Sequence, residues 1–292
     1  MPKVFKTIGE QIEILKNRGL IINDEQKAYD FLLTNNYYRI SGYSLTLRHH
    51  DVFYPSVSFD NIVDIYLFDE KFRTILIYAL EKAEIKVKAL YAYYFAEKYG
   101  GLGYLDENNF TDKELYNSIL SKVNELKTRN YESEAFIKHY IDDLQEDMPI
   151  WVFIELFTIT DLSKLYSITD KEIQLKIAAH FGMRHNNCEK KIGTFLKCFS
   201  ILRNICAHNG RVFNRLFKTK PPLSSKELTL LRSDHKGNPD NQRVFGYLIS
   251  LKRILSDEDF LYVKHEISDL CVDYPFVDMR YYGFADDWYK KL

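Results

Sequence analysis

The sequence has no apolar run long enough to cross a bilayer. Its opening, Met1-Pro2-Lys3-Val4-Phe5-Lys6, leads into an amphipathic pattern rather than a secretory signal, so a cytoplasmic protein with no membrane attachment is expected. Four cysteines, at 188, 198, 206 and 271, show no paired spacing and predict reduced structural thiols. No glycine loop is placed to cradle phosphate, there is no dinucleotide fingerprint, and no Ser-His-Asp order fits helical placement. His180, His185 and Cys188 lack a fourth ligand at finger-like spacing, so neither a metal nor a cofactor is expected. Repeats and low-complexity segments are also missing.

Net charge is nearly absent too, at −1 over 292 residues, but the average hides an asymmetry. Between Lys176 and Lys220 the chain carries 10 Lys or Arg against one acid, Glu189. The local excess of +9 leaves −10 for the rest. A basic stretch of this kind favours a polyanion, because each phosphate contact releases condensed counterions. Aromatics are plentiful, with 22 Tyr and 20 Phe. Most fall at helical spacing and read as core, as do Trp151 and Trp288, which leaves a small minority for RNA.

The patterning predicts an all-α chain. Ile8, Ile12 and Leu15 make a first stripe ended near Gly19, and Asp24 caps a helix to about Leu33. Residues 35–57 read as a turn-rich connection or short hairpin. A long helix follows from Asp60 to about Tyr99, stopped by Gly100-Gly101. Further helices are expected over 111–127, 133–145, 151–166, 170–181 and 187–208. The turn His235-Lys236-Gly237-Asn238-Pro239 precedes two last helices, 241–256 and 257–272, and an aromatic tail that wraps back. Three segments result: a small N-terminal helical subdomain (1–58), a helical core (59–220) and C-terminal helices with the tail (221–292).

Chemistry concentrates at Arg203-Asn204-Ile205-Cys206-Ala207-His208-Asn209, at the end of the 187–208 helix. At about 100° per residue, Phe195, Cys198, Phe199, Leu202, Ile205 and Cys206 share one arc, while Arg203, Asn204, Ala207 and His208 share the opposite one. Leu196 and Ile201 are expected to edge that polar arc, as suits a helix paired across a dimer seam. By chance an Arg precedes a His by four to six residues about once in such a chain, so the spacing alone says little. The adjoining Asn, the helix end and the trailing Gly210-Arg211…Asn214-Arg215 raise its weight.

These are the side chains that RNA cleavage needs. RNA brings its own nucleophile, the 2′-hydroxyl. An imidazole with an ordinary pKa near 6.5 can act as base or acid. A guanidinium stays charged and matches phosphate oxygens with a fork of donors. The products are a 2′,3′-cyclic phosphate and a 5′-hydroxyl. One imidazole cannot be base and acid at once, and a two-fold homodimer that pairs two motifs solves this. The assignment is His208 as general acid/base, Arg203 as phosphorane stabiliser and Asn204 as positioner of the imidazole or phosphate. Lys190, Lys191 and Lys197 would contact RNA.

Arg203-Asn204-x-x-x-His208 resembles the Arg-x4–6-His motif of HEPN-domain ribonucleases. Asn36-Tyr37-Tyr38-Arg39-Ile40-Ser41-Gly42-Tyr43, Met148-Pro149-Ile150-Trp151-Val152-Phe153-Ile154-Glu155-Leu156 and Tyr282-Gly283-Phe284-Ala285-Asp286-Asp287-Trp288 resemble the abortive-infection AbiD/AbiF-like family. The resemblance implies a HEPN helical bundle, metal-independent endoribonuclease activity at a composite homodimer site, and a role in anti-phage defence or toxin–antitoxin biology. It also implies control by a small structured RNA. Asn209, Arg211, Asn214 and Arg215 match the family's longer motif, so Arg211 and Arg215 are candidates for flanking phosphates; Asn209-Gly210 as a helix stop with Arg215 bonded to helix-end carbonyls is an equal expectation. Arg39 is a candidate RNA contact or, equally, part of a buried ion pair. HEPN domains often bring a polar residue of the long helix to the motif, which makes Glu84 an accessory candidate. A surface ion pair with Lys88, where the family tends to have Arg, is the plainer expectation. The rival readings are a non-catalytic RNA-binding module gripping a guide or antitoxin RNA, and a protein-interaction scaffold.

Overall fold

A computed structural model describes residues 4–234 and 236–292. The predicted opening, Met1 to Lys3, and His235 of the predicted turn lie outside the described residues. Helix makes up 64% of the chain and the strands are two residues each, so the fold is all-α. Among the described residues no helix is long and apolar enough to cross a membrane.

The axis of the fold is one helix, Phe59–Tyr99, of 41 residues. Ser58 starts it with a capping box to Asn61, and Gly100, at φ +78°, ends it. At 1.5 Å per residue it spans about 60 Å. Its buried residues, Ile62, Phe68, Phe72, Leu76, Leu80, Val87, Tyr91 and Phe95 among them, run its whole length. Lys171–His180, the motif helix Cys188–Ala207 and Asp257–Asp273 all pack on it. Buried residues of all three segments of the chain belong to one hydrophobic cluster, from Ile12 to Trp288.

The N-terminal segment folds as Ile8–Asn17 and Glu25–Asn35, each started by the side-chain cap its sequence offers, Thr7 with Glu10 and Asp24 respectively. The turn-rich stretch holds a one-turn helix, Tyr37–Ser41, and an antiparallel hairpin pairing Arg48 with Phe53 and His49 with Val52.

The structure departs from the periodicity at residues 151–166. In place of one helix, Ile150–Phe153 tightens into a 3-10 turn, Ile154–Leu156, and Phe157 is extended. Thr158 then opens Ile159–Ser167 with its own capping box to Asp161. Thr158 and Asp161 satisfy the free backbone donors of a new helix start, and that local gain outweighs the continuous apolar pattern. Trp151 is also not core: it is 55% exposed, with its ring laid over Gly101, where a Cβ would sit 2.9 Å from Cη2. Trp288 is buried, as expected. At 133–145 the helix Ala135–Lys138 widens into a π turn, His139–Leu144, ended by Gln145 at φ +54°.

Candidate active site at the end of the motif helix

The motif helix buries Phe195, Cys198, Phe199, Leu202 and Cys206, and burial pushes the Cys198 and Cys206 thiols up to about 12. Leu196 is also buried, at 1% exposure, so it belongs to this chain's core and offers no apolar edge to a twin. Ile201 stays half-buried. Reading along the other side at helical spacing, Lys190, Thr194, Lys197, Ile201, Asn204 and His208 fall on one stripe. Beside it runs a groove of about 730 Å³ against Ile159–Ser167, lined by Lys164, Gln174, Lys190, Lys197 and Ser200. Lys190 and Lys197 are exposed and Lys191 is half-buried.

The last turn is orientated by hydrogen bonds from the neighbouring helix. Arg203 Nη1 donates to Asn204 Oδ1 at 3.4 Å, and Asn204 Nδ2 donates to Thr160 Oγ1 at 3.5 Å. Thr160 and Ser200 hydroxyls meet at 2.7 Å. Asn204 therefore faces Arg203 and Thr160, and it makes no side-chain hydrogen bond to His208. The His208 backbone N–H donates to Asn204 O at 3.1 Å, while its ring is exposed and has no hydrogen-bond partner among the described residues.

Termination follows a Schellman pattern. Asn209 takes the left-handed conformation at φ +54°, its N–H reaches Cys206 O at 3.1 Å, and Gly210 N–H reaches Ile205 O at 2.7 Å. Gly210 is needed for close approach, since a Cβ there would lie 3.0 Å from Ile205 O.

Around that stop Arg39, Arg211, Asn214 and Arg215 also bond within the chain. Arg39 Nη2 donates to Asn209 O at 2.8 Å and its guanidinium lies over Tyr66 at 5.5 Å. Arg211 Nη1 donates to Phe213 O at 2.7 Å, with its guanidinium 6.0 Å from the Tyr43 ring centre. Arg215 Nε donates to Arg211 O at 2.6 Å. Asn214 Oδ1 accepts from Arg243 Nη1 at 2.9 Å. These groups shape the turn after the motif, and each of the three guanidiniums spends one nitrogen on a backbone carbonyl. Glu84 and Lys88 pair at 3.1 Å with side chains 17% and 9% exposed, so the expected surface pair is largely buried, and no hydrogen bond or ion pair joins it to the motif helix.

What holds the turn is a residue that sequence reasoning missed. Asp69, 0% exposed on the long helix, accepts five hydrogen bonds. Oδ1 receives Phe213 N at 2.7 Å and Tyr282 OH at 3.0 Å. Oδ2 receives Val212 N at 3.2 Å, Tyr43 OH at 2.8 Å and Arg73 Nη1 at 2.6 Å. A buried carboxylate is tolerated only when paired and fully bonded, and this one is both. Burial, then the Asp69 charge, holds the Tyr43 and Tyr282 phenols well above their ordinary range, so they stay donors. At Arg73 burial opposes the charge, but Asp69 and Tyr43 outweigh it. One signal was available: Asp69 and Arg73, four apart, interrupt the apolar face of Ile65, Phe68, Phe72 and Leu76. Thr160 and Ser200 carried none, because only tertiary packing brings them to Asn204.

A family profile described as Abi-like protein matches residues 30–214. The chain belongs to that family. Comparisons with curated proteins and with solved structures find no match. In this Abi-like protein the matched stretch contains Tyr43, Asp69, Arg73, the motif and its turn; Tyr282, the fifth donor to Asp69, lies beyond it. Among the described residues no group of three or more His, Cys, Asp or Glu side chains is placed to share a metal ion.

Proposed function

We propose that this Abi-like protein is an endoribonuclease of the HEPN type, acting in the cytoplasm as a toxin or abortive-infection effector in anti-phage defence. The observation that supports it is a contrast in commitment. Arg39, Arg211 and Arg215 are bonded to backbone carbonyls, while the His208 ring stands exposed one helical turn beyond Asn204, which bonds both Arg203 and Thr160. In this reading His208 takes the 2′-hydroxyl proton or protonates the leaving 5′-oxygen, and Arg203 meets the charge that develops on phosphorus. The attacking oxygen belongs to the RNA, so the step needs no metal-activated water. A second copy of the motif, across a two-fold axis, supplies the other proton-transfer group. Lys190 and Lys197 line the groove and would hold the flanking backbone, or a small structured regulatory RNA.

The test is mapping of RNA ends after induction in bacteria and with purified protein in EDTA. Cyclic phosphate ends with wild type, and none with His208→Ala, are expected. Ends of other chemistry, or a requirement for Mg²⁺, would remove the reading. The lysine-lined groove also favours a second reading, an RNA-gripping module without cleavage. Equal toxicity of wild type and His208→Ala, with RNA binding intact, would select it.

A further inference from the structure

Tyr38 is 84% exposed, more than any other large hydrophobic side chain among the described residues. A lone exposed ring is ordinary on a protein surface. Its mounting is not. Asn36, in the left-handed region at φ +62°, turns the chain and accepts the Tyr38 N–H at 2.8 Å. Ser41 Oγ donates to Tyr38 O at 2.8 Å, so the backbone is tied on both sides of the ring. Its neighbours are fixed as well. Tyr37 OH accepts from Arg18 at 3.3 Å, Ile40 is buried, and Arg39 grips Asn209, the residue after His208. This one-turn helix therefore presents a solvent-facing aromatic one residue along from the guanidinium that anchors the end of the motif helix.

We infer that Tyr38 is a base-stacking residue that receives a nucleobase flanking the linkage held at Arg203 and His208. The inference rests on the RNA reading above and adds a contact to the base rather than to phosphate. Adjacent Cα atoms are about 3.8 Å apart, so only one residue step and one arginine side chain separate Tyr38 from the backbone that follows His208. With the backbone held, only the two side-chain torsions of Tyr38 are left to order on stacking, and every base has a face to offer. The local excess of +9 between Lys176 and Lys220, the stretch that carries the motif, favours a polyanion as the partner.

The experiment measures binding of a short fluorescein-labelled single-stranded RNA to full-length protein carrying His208→Ala, which separates binding from cleavage. Adding Tyr38→Ala should weaken binding about tenfold, and Tyr38→Phe or Tyr38→Trp should preserve it, with an unchanged salt slope because no phosphate contact is lost. An abasic site scanned along the RNA should erase the Tyr38→Ala penalty at one position. A Tyr38→Ala penalty below about twofold, or one that no abasic position erases, overturns the inference while leaving the RNA reading intact. A change of oligomeric state in Tyr38→Ala by light scattering overturns it in favour of a contact between copies. A His208→Ala parent that binds no RNA overturns both readings together.

Discussion

Asp69 and His208 lie at opposite ends of one short path. From Asp69 the hydrogen bonds run to Val212 and Phe213, and those residues follow the turn that begins at His208. At the Asp69 end every lone-pair direction is filled, by two backbone donors, two phenols and a guanidinium, with no water access. At the His208 end the ring is open and unbonded. The difference teaches a division of labour. Polar groups that are buried must be satisfied and therefore fix geometry, whereas a group left unsatisfied at the surface is available for a ligand.

The sharpest way to break this comparison is to remove each end. His208→Ala should lower RNA cleavage about a hundred- to ten-thousandfold and leave the urea midpoint where it was, since an exposed ring contributes little to stability. Asp69→Ala should cost about 3–5 kcal/mol of stability by urea unfolding, because Arg73 is left charged and buried without its partner. A midpoint that hardly moves would show that the hub is not what fixes the turn. Tyr282→Phe removes one charged-acceptor hydrogen bond and should cost about 1.5–3 kcal/mol by the same assay.

Smaller effects sharpen the picture. Thr160→Val takes away the donor-acceptor partner of Asn204, and kcat should fall about tenfold with the urea midpoint nearly unchanged. Equal kcat would mean that Asn204 is held well enough by Arg203 alone. The least effect is expected in acid. At Asp161 burial raises the pKa, but Lys122 and Thr158 outweigh it, and the carboxyl is held below its ordinary 3.8. Its contribution is therefore complete above that value and fades as pH falls through the lower, folded one. Thermal unfolding of Asp161→Asn compared with wild type at decreasing pH should show a shallower acid decline in the variant.

Much of the architecture could be read in advance because local rules and tertiary packing agree there. Asp24 before a helix, Gly100 after one and the apolar stripe of 60–99 each say what the structure shows. The periodicity misled at 151–166, where Thr158 and Asp161 restart the helix, and at Trp151, whose exposure depends on Gly101 lying beneath it. The motif itself was legible as residues on one face. What surrounds it was not, because Thr160, Tyr43 and Tyr282 reach it or its turn from far along the chain, and no spacing rule connects positions whose meeting is decided by packing. Arg211 and Arg215 allow two readings from sequence, phosphate contact and bonding to carbonyls at the helix end. Carbonyls of their own turn accept one hydrogen bond from each.

The reach of Asp69 along the chain sets a timetable for assembly. Its most distant donor, Tyr282, is 213 residues further on. A ribosome adding about 5–20 residues per second needs roughly 10–40 s to cover that distance. Throughout that interval the carboxylate, its arginine and the loop behind the motif wait for their last clasp. A product cut short after the motif but before Tyr282 keeps the motif and lacks the fifth donor to Asp69.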